Sequence, residues 1–151
     1  MSSKTPTRLI VVLGALTVAC SGPFVLFPGG ALEGRIATAP TDWGFTADTD
    51  TIQLETNPGD PYSVNIWAIG LGNVLYVHAG ASHATWIENM EADPRVRVRI
   101  GETVYELNAA RVEDQAEFDR FSAVYEEKYG NPPRNPSVEE AYLFRLRPRQ
   151  G

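Results

Sequence analysis

The 151-residue sequence has one cysteine, Cys20, so no disulfide can form within a single copy of the chain. Its fold must rest on burial and hydrogen bonding rather than on cross-links. Histidine is nearly as scarce, with His78 and His83 the only two. They lack the i, i+4 helical spacing of a zinc pair and have no cysteine beside them, so no metal site is expected. No apolar run reaches the ~20 residues that a membrane-crossing helix needs. Basic residues are in deficit, 13 against 19 acidic, for a formal net charge of −6. That balance argues against a nucleic-acid partner. A P-loop, a Rossmann fingerprint and a Ser–His–Asp arrangement are all missing, as are internal repeats and low-complexity tracts. What is left is one domain with one core and no residue that sequence alone marks as catalytic.

The N-terminal stretch is informative. Lys4 and Arg8 give it a positive start, Leu9 to Val18 is almost unbroken apolar sequence, and small Ala19 precedes Cys20. Positive, apolar, small is the order of a secretory signal peptide. Leu16-Thr17-Val18-Ala19-Cys20 resembles the bacterial lipobox, with Thr17 where leucine is usual and Leu16 one place earlier. The resemblance implies a leader over 1–19, lipid on Cys20, a tether over 20–30 and a domain over 31–151. The expected location is the bacterial cell envelope, anchored in a membrane and facing the periplasm or exterior. An ordinary cleaved signal with a chance cysteine is the alternative. Two acyl chains on one residue anchor stably where one does not. Without Lys4 and Arg8, 11 basic residues face 19 acidic ones, a formal −8, so lipid rather than charge would hold the membrane. Phe24 to Phe27 in the tether either packs back onto the domain or lies on the membrane.

From residue 50 onward the pattern is mostly β. Ile52 to Thr56 is a candidate strand closed by the turn Asn57-Pro58-Gly59-Asp60. Ser63 to Ile69 and Val74 to Ala79 form a hairpin across Gly70-Leu71-Gly72-Asn73. Residues 84–92 form a short helix stopped by Asp93-Pro94. Arg95, Arg97 and Arg99 alternate with Val96, Val98 and Ile100, so the cations share one strand face. That face is either solvated or meets a phosphate or an acidic dimer partner. Thr103 to Val112 is the next strand. Asp114 and Glu117 form a capping box for a helix with the stripe Phe118, Phe121, Tyr125, Tyr129. Gly130 and Pro132-Pro133 end it, and Tyr142 to Arg147 closes the domain. These elements predict an α+β domain on an antiparallel barrel or sheet.

The stretch from Trp86-Ile87-Glu88-Asn89 through Asp93-Pro94 to Val98, behind the hairpin Ile66-Trp67 to Leu75-Tyr76-Val77, resembles the split-barrel superfamily. That superfamily holds pyridoxamine-phosphate-oxidase-like flavoproteins and deazaflavin-dependent nitroreductases. The ending, Ala123-Val124-Tyr125 through Lys128-Tyr129-Gly130 to Tyr142-Leu143-Phe144-Arg145-Leu146, resembles a branch of the same group. The resemblance implies a six-stranded Greek-key split barrel with two helices. It also implies a homodimer with FMN or deazaflavin bound near the subunit boundary. One departure stands out. The basic turn of many cofactor-binding members is replaced by Asn57-Pro58-Gly59-Asp60-Pro61, which has no cation.

The candidate cofactor-binding residues are Trp67, His78, Gly80, Ser82, His83 and Trp86. Ala79-Gly80-Ala81-Ser82-His83 leads into the short helix, where backbone N–H groups and the Ser82 hydroxyl would meet a phosphate, unless the turn is a plain cap. Trp67 and Trp86 are either one wall of a planar-ligand pocket or core residues. Each histidine is either an acid–base or hydrogen-bonding group or a satisfied structural residue. Two functional classes remain open. One is an oxidoreductase-like domain that binds flavin or deazaflavin and a small-molecule ligand. The other is a non-catalytic binding or envelope-structural lipoprotein that has lost the cofactor. The anchor is directly testable: Cys20→Ser should abolish incorporation of labelled palmitate and release the protein from membranes. Labelling and retention unchanged in that variant would remove the lipid assignment.

Overall fold

A computed structural model describes residues 28–80 and 84–149. The strands are β1 (Arg35–Ala37), β2 (Ile52–Thr56), β3 (Tyr62–Ile66), β4 (Ala68–Leu71), β5 (Val74–Ala79), β6 (Arg95–Ile100), β7 (Thr103–Arg111) and β8 (Tyr142–Pro148). The helices are α1 (Thr85–Ala92) and α2 (Gln115–Tyr129), and a 3-10 turn spans Gly44–Asp48. The sheet runs β3-β2-β6-β7-β8-β5-β4. Its neighbours are antiparallel, while β1 lies parallel beside the start of β7. This is the expected α+β barrel, curled and split, but with eight strands among the described residues where six were expected. Two local features account for the difference. The run Ser63–Ile69 is interrupted at Trp67 and becomes β3 and β4, and the segment before residue 40 contributes β1.

The hairpin loops are tighter than the sequence indicated. β4 and β5 turn over two residues, Gly72 and Asn73, with Gly72 at a φ of 56°. Glycine in the first position of a two-residue loop supplies that left-handed geometry without steric cost. Gly101 does the same between β6 and β7, at 59°. Gly70 is required for another reason. A Cβ there would stand 2.2 Å from the carbonyl oxygen of Trp43, so the chain before the 3-10 turn can lie against β4 only over a bare backbone.

Two apolar layers share the sheet. Inside the curl lie Leu54, Leu75, Val77, Val96, Val98, Leu107, Phe144 and Leu146, with Trp43, Trp86 and Ile87. Outside β4, β5 and β8, α2 covers Ile69, Val74, Tyr76 and Leu143 with Phe118 and Phe121. Alternation on β5 feeds both layers, with Leu75 and Val77 pointing in and Val74 and Tyr76 out. The Arg95/Arg97/Arg99 strand alternates as read, because Val96 and Val98 are buried in the inner layer.

The start of α2 is a half capping box. The Asp114 carboxylate accepts from the Glu117 N–H at 2.7 Å. The Glu117 side chain does not reach back. It accepts from the Tyr76 hydroxyl at 2.9 Å and from Arg145 at 2.6 Å instead. Gly130, at a φ of 76°, ends the helix in the left-handed region.

Phe121 is 1% exposed. Phe121→Ala should therefore cost ~3–5 kcal/mol through lost burial and a residual cavity. Denaturant melts check this, and a loss below ~0.5 kcal/mol would place the stripe at the surface.

Candidate functional site

Trp67 fills the one position between β3 and β4 and is 50% exposed, which is unusual for so large an apolar side chain. Its indole lies flat on Tyr129, centroids 4.5 Å apart and planes 11° from parallel. Tyr125 adjoins both rings, at 6.1 Å from Trp67 and 4.9 Å from Tyr129. The spacing of four along α2 places the two tyrosines one above the other on its sheet-facing side.

His78 joins this cluster through β5. Ala68 pairs with Val77, so Trp67 and His78 flank the same rung and share the α2 face with Ile69 and Tyr76. The imidazole sits edge-on to Tyr125 at 5.7 Å and 5.6 Å from Phe121. Burial pushes its pKa down to about 4, so the ring is neutral near pH 7. Its Nε2 is buried and has no hydrogen-bond partner. Burial also raises the pKa of the Tyr125 and Tyr129 phenols, which keeps both protonated.

Tyr129 is fixed by the backbone beneath it. Its hydroxyl accepts from the Ala68 N–H at 3.2 Å and directs its proton between the carbonyls of Asp50 and Ala68, each 3.1 Å away. Lys128 donates to the carbonyls of Thr46, Thr49 and Ala68 at 2.8, 2.8 and 2.9 Å. Burial pulls its pKa down, and Asp50 and Asp48 oppose the shift.

The structure divides the sequence-predicted residues. Trp67 and His78 are brought together through Tyr125. Gly80, two residues past His78, is half-buried, with nothing within 4 Å of where a Cβ would stand. Trp86 points the other way. It is 7% exposed inside the curl, 6.3 Å from Phe144. Ser82, His83 and Cys20 lie outside the described residues. α1 begins after Ala84 without a side-chain cap and is tied to β2 by the Asn89 amide, which donates to the Thr56 hydroxyl at 3.0 Å. The sequence marks Tyr125 and Tyr129 only as helix packing. The available signal was their position at the end of the stripe, where β4 gives way to Trp67.

Comparison with known proteins fits this architecture. The family model of F420H(2)-dependent quinone reductases matches residues 72–135, less than half of the chain. A candidate pyridoxamine 5'-phosphate oxidase from Listeria innocua superposes with a TM-score of 0.54 at 19% identity, covering 67% of this chain and 85% of that one. The fold is the split barrel. A candidate 5-nitroimidazole antibiotic resistance protein from Bacteroides thetaiotaomicron superposes on the split barrel with a TM-score of 0.54 at 15% identity, covering 69% and 75% of the two chains. A FAD-binding protein from Mesorhizobium loti gives 0.51 at 20% identity, covering 69% and 84%. No curated protein matches the sequence.

His78 makes stability pH-dependent with a definite sign. Its folded pKa lies below the usual 6.5, so between those values the unfolded chain binds a proton that the folded chain does not. Stability should fall as pH drops from about 6.5 to about 4 and lose nothing further to His78 below that, by ~3 kcal/mol at most. Denaturant melts of wild type and His78→Leu at pH 7.5 and 4.5 isolate the effect, because shared carboxylate titrations cancel in the difference. An equal loss in both proteins would show that His78 is not buried neutral.

Proposed function

We propose that this chain is an oxidoreductase-like split barrel that binds a flavin or deazaflavin, held in the bacterial envelope by lipid on Cys20. The observation that carries the reading is the half-exposed Trp67 laid flat on Tyr129 beside Tyr125 and His78. An aromatic face left open to solvent, backed by a Tyr129 ring whose hydroxyl is held by backbone hydrogen bonds, suits a planar heteroaromatic ligand. The unpartnered Nε2 of His78 is the buried polar atom such a ligand could engage after a small shift of Tyr125. A Cβ on Gly80 would meet nothing within 4 Å, and the reading has phosphate approach there, ahead of the start of α1. The family model and the FAD-binding neighbour support this class of cofactor.

Bound there, the ring would supply hydride or electron transfer. The chain's own share is to stack the ring on the open face of Trp67, which Tyr129 backs from the other side, and to present a neutral imidazole beside Tyr125. Trp86 supports the curl from inside and takes no part in stacking. A homodimer belongs to this reading, as the resemblance to the split-barrel superfamily implies.

One observation favours the second reading, a binding or structural lipoprotein without cofactor. The turn Asn57–Asp60 closes on itself, the Asp60 N–H donating to the Asn57 carbonyl at 3.0 Å with Asn57 at a φ of 55°. It brings no cation where many cofactor-binding members have one.

Titration of the full chain in detergent with FMN and with a deazaflavin separates the two. The first reading expects quenched tryptophan emission, a raised melting temperature by mass action, and a loss of ~10-fold or more in affinity for Trp67→Leu. No quenching and no thermal shift at about 1 mM ligand, roughly a −4 kcal/mol threshold, would sink the cofactor and leave the second reading.

A further inference from the structure

The arginine row on β6 does not behave as a uniform solvated face. Arg99 turns away to donate to the Glu33 carbonyl at 3.2 Å. Arg95 and Arg97 instead line a recess of about 240 Å³ with Arg149, Glu55, Glu106 and Pro58. Register builds this recess. Glu55 of β2 sits opposite Arg97, and Arg97 sits opposite Glu106 of β7, so three adjacent strands present a row of alternating charge. Arg149, just past β8, lies across the row. It donates to the carbonyls of Leu107 and Val96 at 3.3 and 3.0 Å and stands 3.4 Å from Glu106.

Three guanidiniums, two on β6 and one just past β8, face two carboxylates here, in a chain whose total charge is −6. Both carboxylates are committed. Glu55, 5% exposed at its side chain, accepts from Arg97 at 3.1 Å and from the Leu32 N–H, and Glu106 faces Arg149. Arg95 spends its Nε and one terminal nitrogen on Asp93 and remains 58% exposed at its side chain. Arg97 holds Glu55 through Nη1, but its Nε–H is buried without a partner. A buried charged donor left unpaired is costly, and such a group in a folded protein points to a water or ion that completes it.

We propose that this recess binds a small oxyanion, the phosphate or carboxylate group of a small molecule, with the Arg97 Nε–H as its inner donor and Arg95 and Arg149 flanking it. Planar guanidinium forks match oxyanions in geometry as well as charge. The recess lies on the outer face of β2 and β6 and is bordered by Pro58 and Pro61 of the turn after β2, whereas Trp67 and His78 face α2 at β4 and β5.

The test is titration of the full chain in detergent with sodium phosphate and with sodium acetate, against sodium chloride at matched ionic strength. Melting temperature and the ¹H–¹⁵N signal of the Arg97 Nε–H are followed together. Expected are a saturable rise in melting temperature below about 10 mM for at least one oxyanion and a shift of the Arg97 signal that chloride does not produce. Phosphate alone responding identifies a phosphate-bearing ligand, acetate alone a carboxylate, and either supports the site. Arg95→Gln should weaken binding ~10-fold or more. Arg97→Lys keeps the charge beside Glu55 but removes the Nε–H, and should do the same while still melting cooperatively. Responses equal to chloride, or affinities unchanged in both variants, would overturn the proposal and leave the Nε–H to water.

Discussion

Lys128 delivers all three protons of its ammonium to backbone carbonyls, and the arrangement around Trp67 depends on that contact. Two of the acceptors, Thr46 within the 3-10 segment and Thr49 just after it, belong to one piece of chain, and the third, Ala68, opens β4. One side chain thus joins the last turn of α2 to two adjacent pieces of chain. Burial works against the charge and pulls its pKa down, while three carbonyl acceptors satisfy the ammonium and the nearby Asp50 and Asp48 oppose the shift. With Lys128 seated, Tyr129 has to lie over Ala68, and Trp67, one residue before Ala68, has to lie over Tyr129. At the other end of α2, Glu117 takes hydrogen bonds from Tyr76 on β5 and Arg145 on β8. Burial, with the hydrogen bond to Glu117 and its negative charge behind it, pushes the Tyr76 phenol up to about 12. The helix is thereby clamped at both ends by charged groups, and the aromatic stripe between them fills the space that the clamps define.

The opposite flank of the sheet solves a different problem with the same kind of group. Residues 29–37 cross the outside of β2 and β6. The strap begins where Gly29 exchanges two 2.8 Å backbone bonds with Ser63 and continues to β1 beside β7. Glu55 lies beneath it. A carboxylate in that position is tolerable only if paired and bonded, and Arg97 and the Leu32 N–H provide both. Removing Arg97 would strand the carboxylate, whereas removing Leu32 would cost mainly burial. The few cations of an acidic chain are thus spent at fixed structural posts, Arg97 under the strap, Arg145 under α2 and Lys128 at its end. This is why a net negative charge coexists with well-ordered basic side chains.

What the sequence made legible follows from periodicity and punctuation. Alternation over Arg95–Ile100, the stop at Asp93-Pro94, the cap at Asp114 and the stripe ending at Gly130 each rest on a local rule, and each element lies where that rule put it. The strand count was not legible. A two-residue period cannot register that a run of β-formers bends at one position, so Ser63–Ile69 read as one strand. β1 has only three residues and pairs in parallel with a partner nearly seventy positions away. No local signal announces such pairing. The pairing of Trp67 with Trp86 as one pocket wall depended on facing. The two indoles lie on opposite sides of the sheet because Trp67 keeps the outward phase of Ile69, while α1 turns Trp86 inward. Sequence distance contains no such information.

The bend at Trp67 is also what closes the barrel. The sheet path begins at β3 and ends at β4, two strands separated in sequence by this one residue. The two ends of the sheet are therefore joined by the chain itself. At such a corner the backbone leaves one set of neighbours, β2, for another, β5, and the side chain can be buried by neither. α2 covers one face of Trp67 through Tyr129 and leaves the other open. The exposed indole is thus a consequence of closing a curled sheet by continuity of the chain. A ligand stacked there would touch both ends of the sheet and the helix that clamps them. Its binding free energy would then add to the stability of the closed state by mass action, coupling occupancy of the site to integrity of the seam.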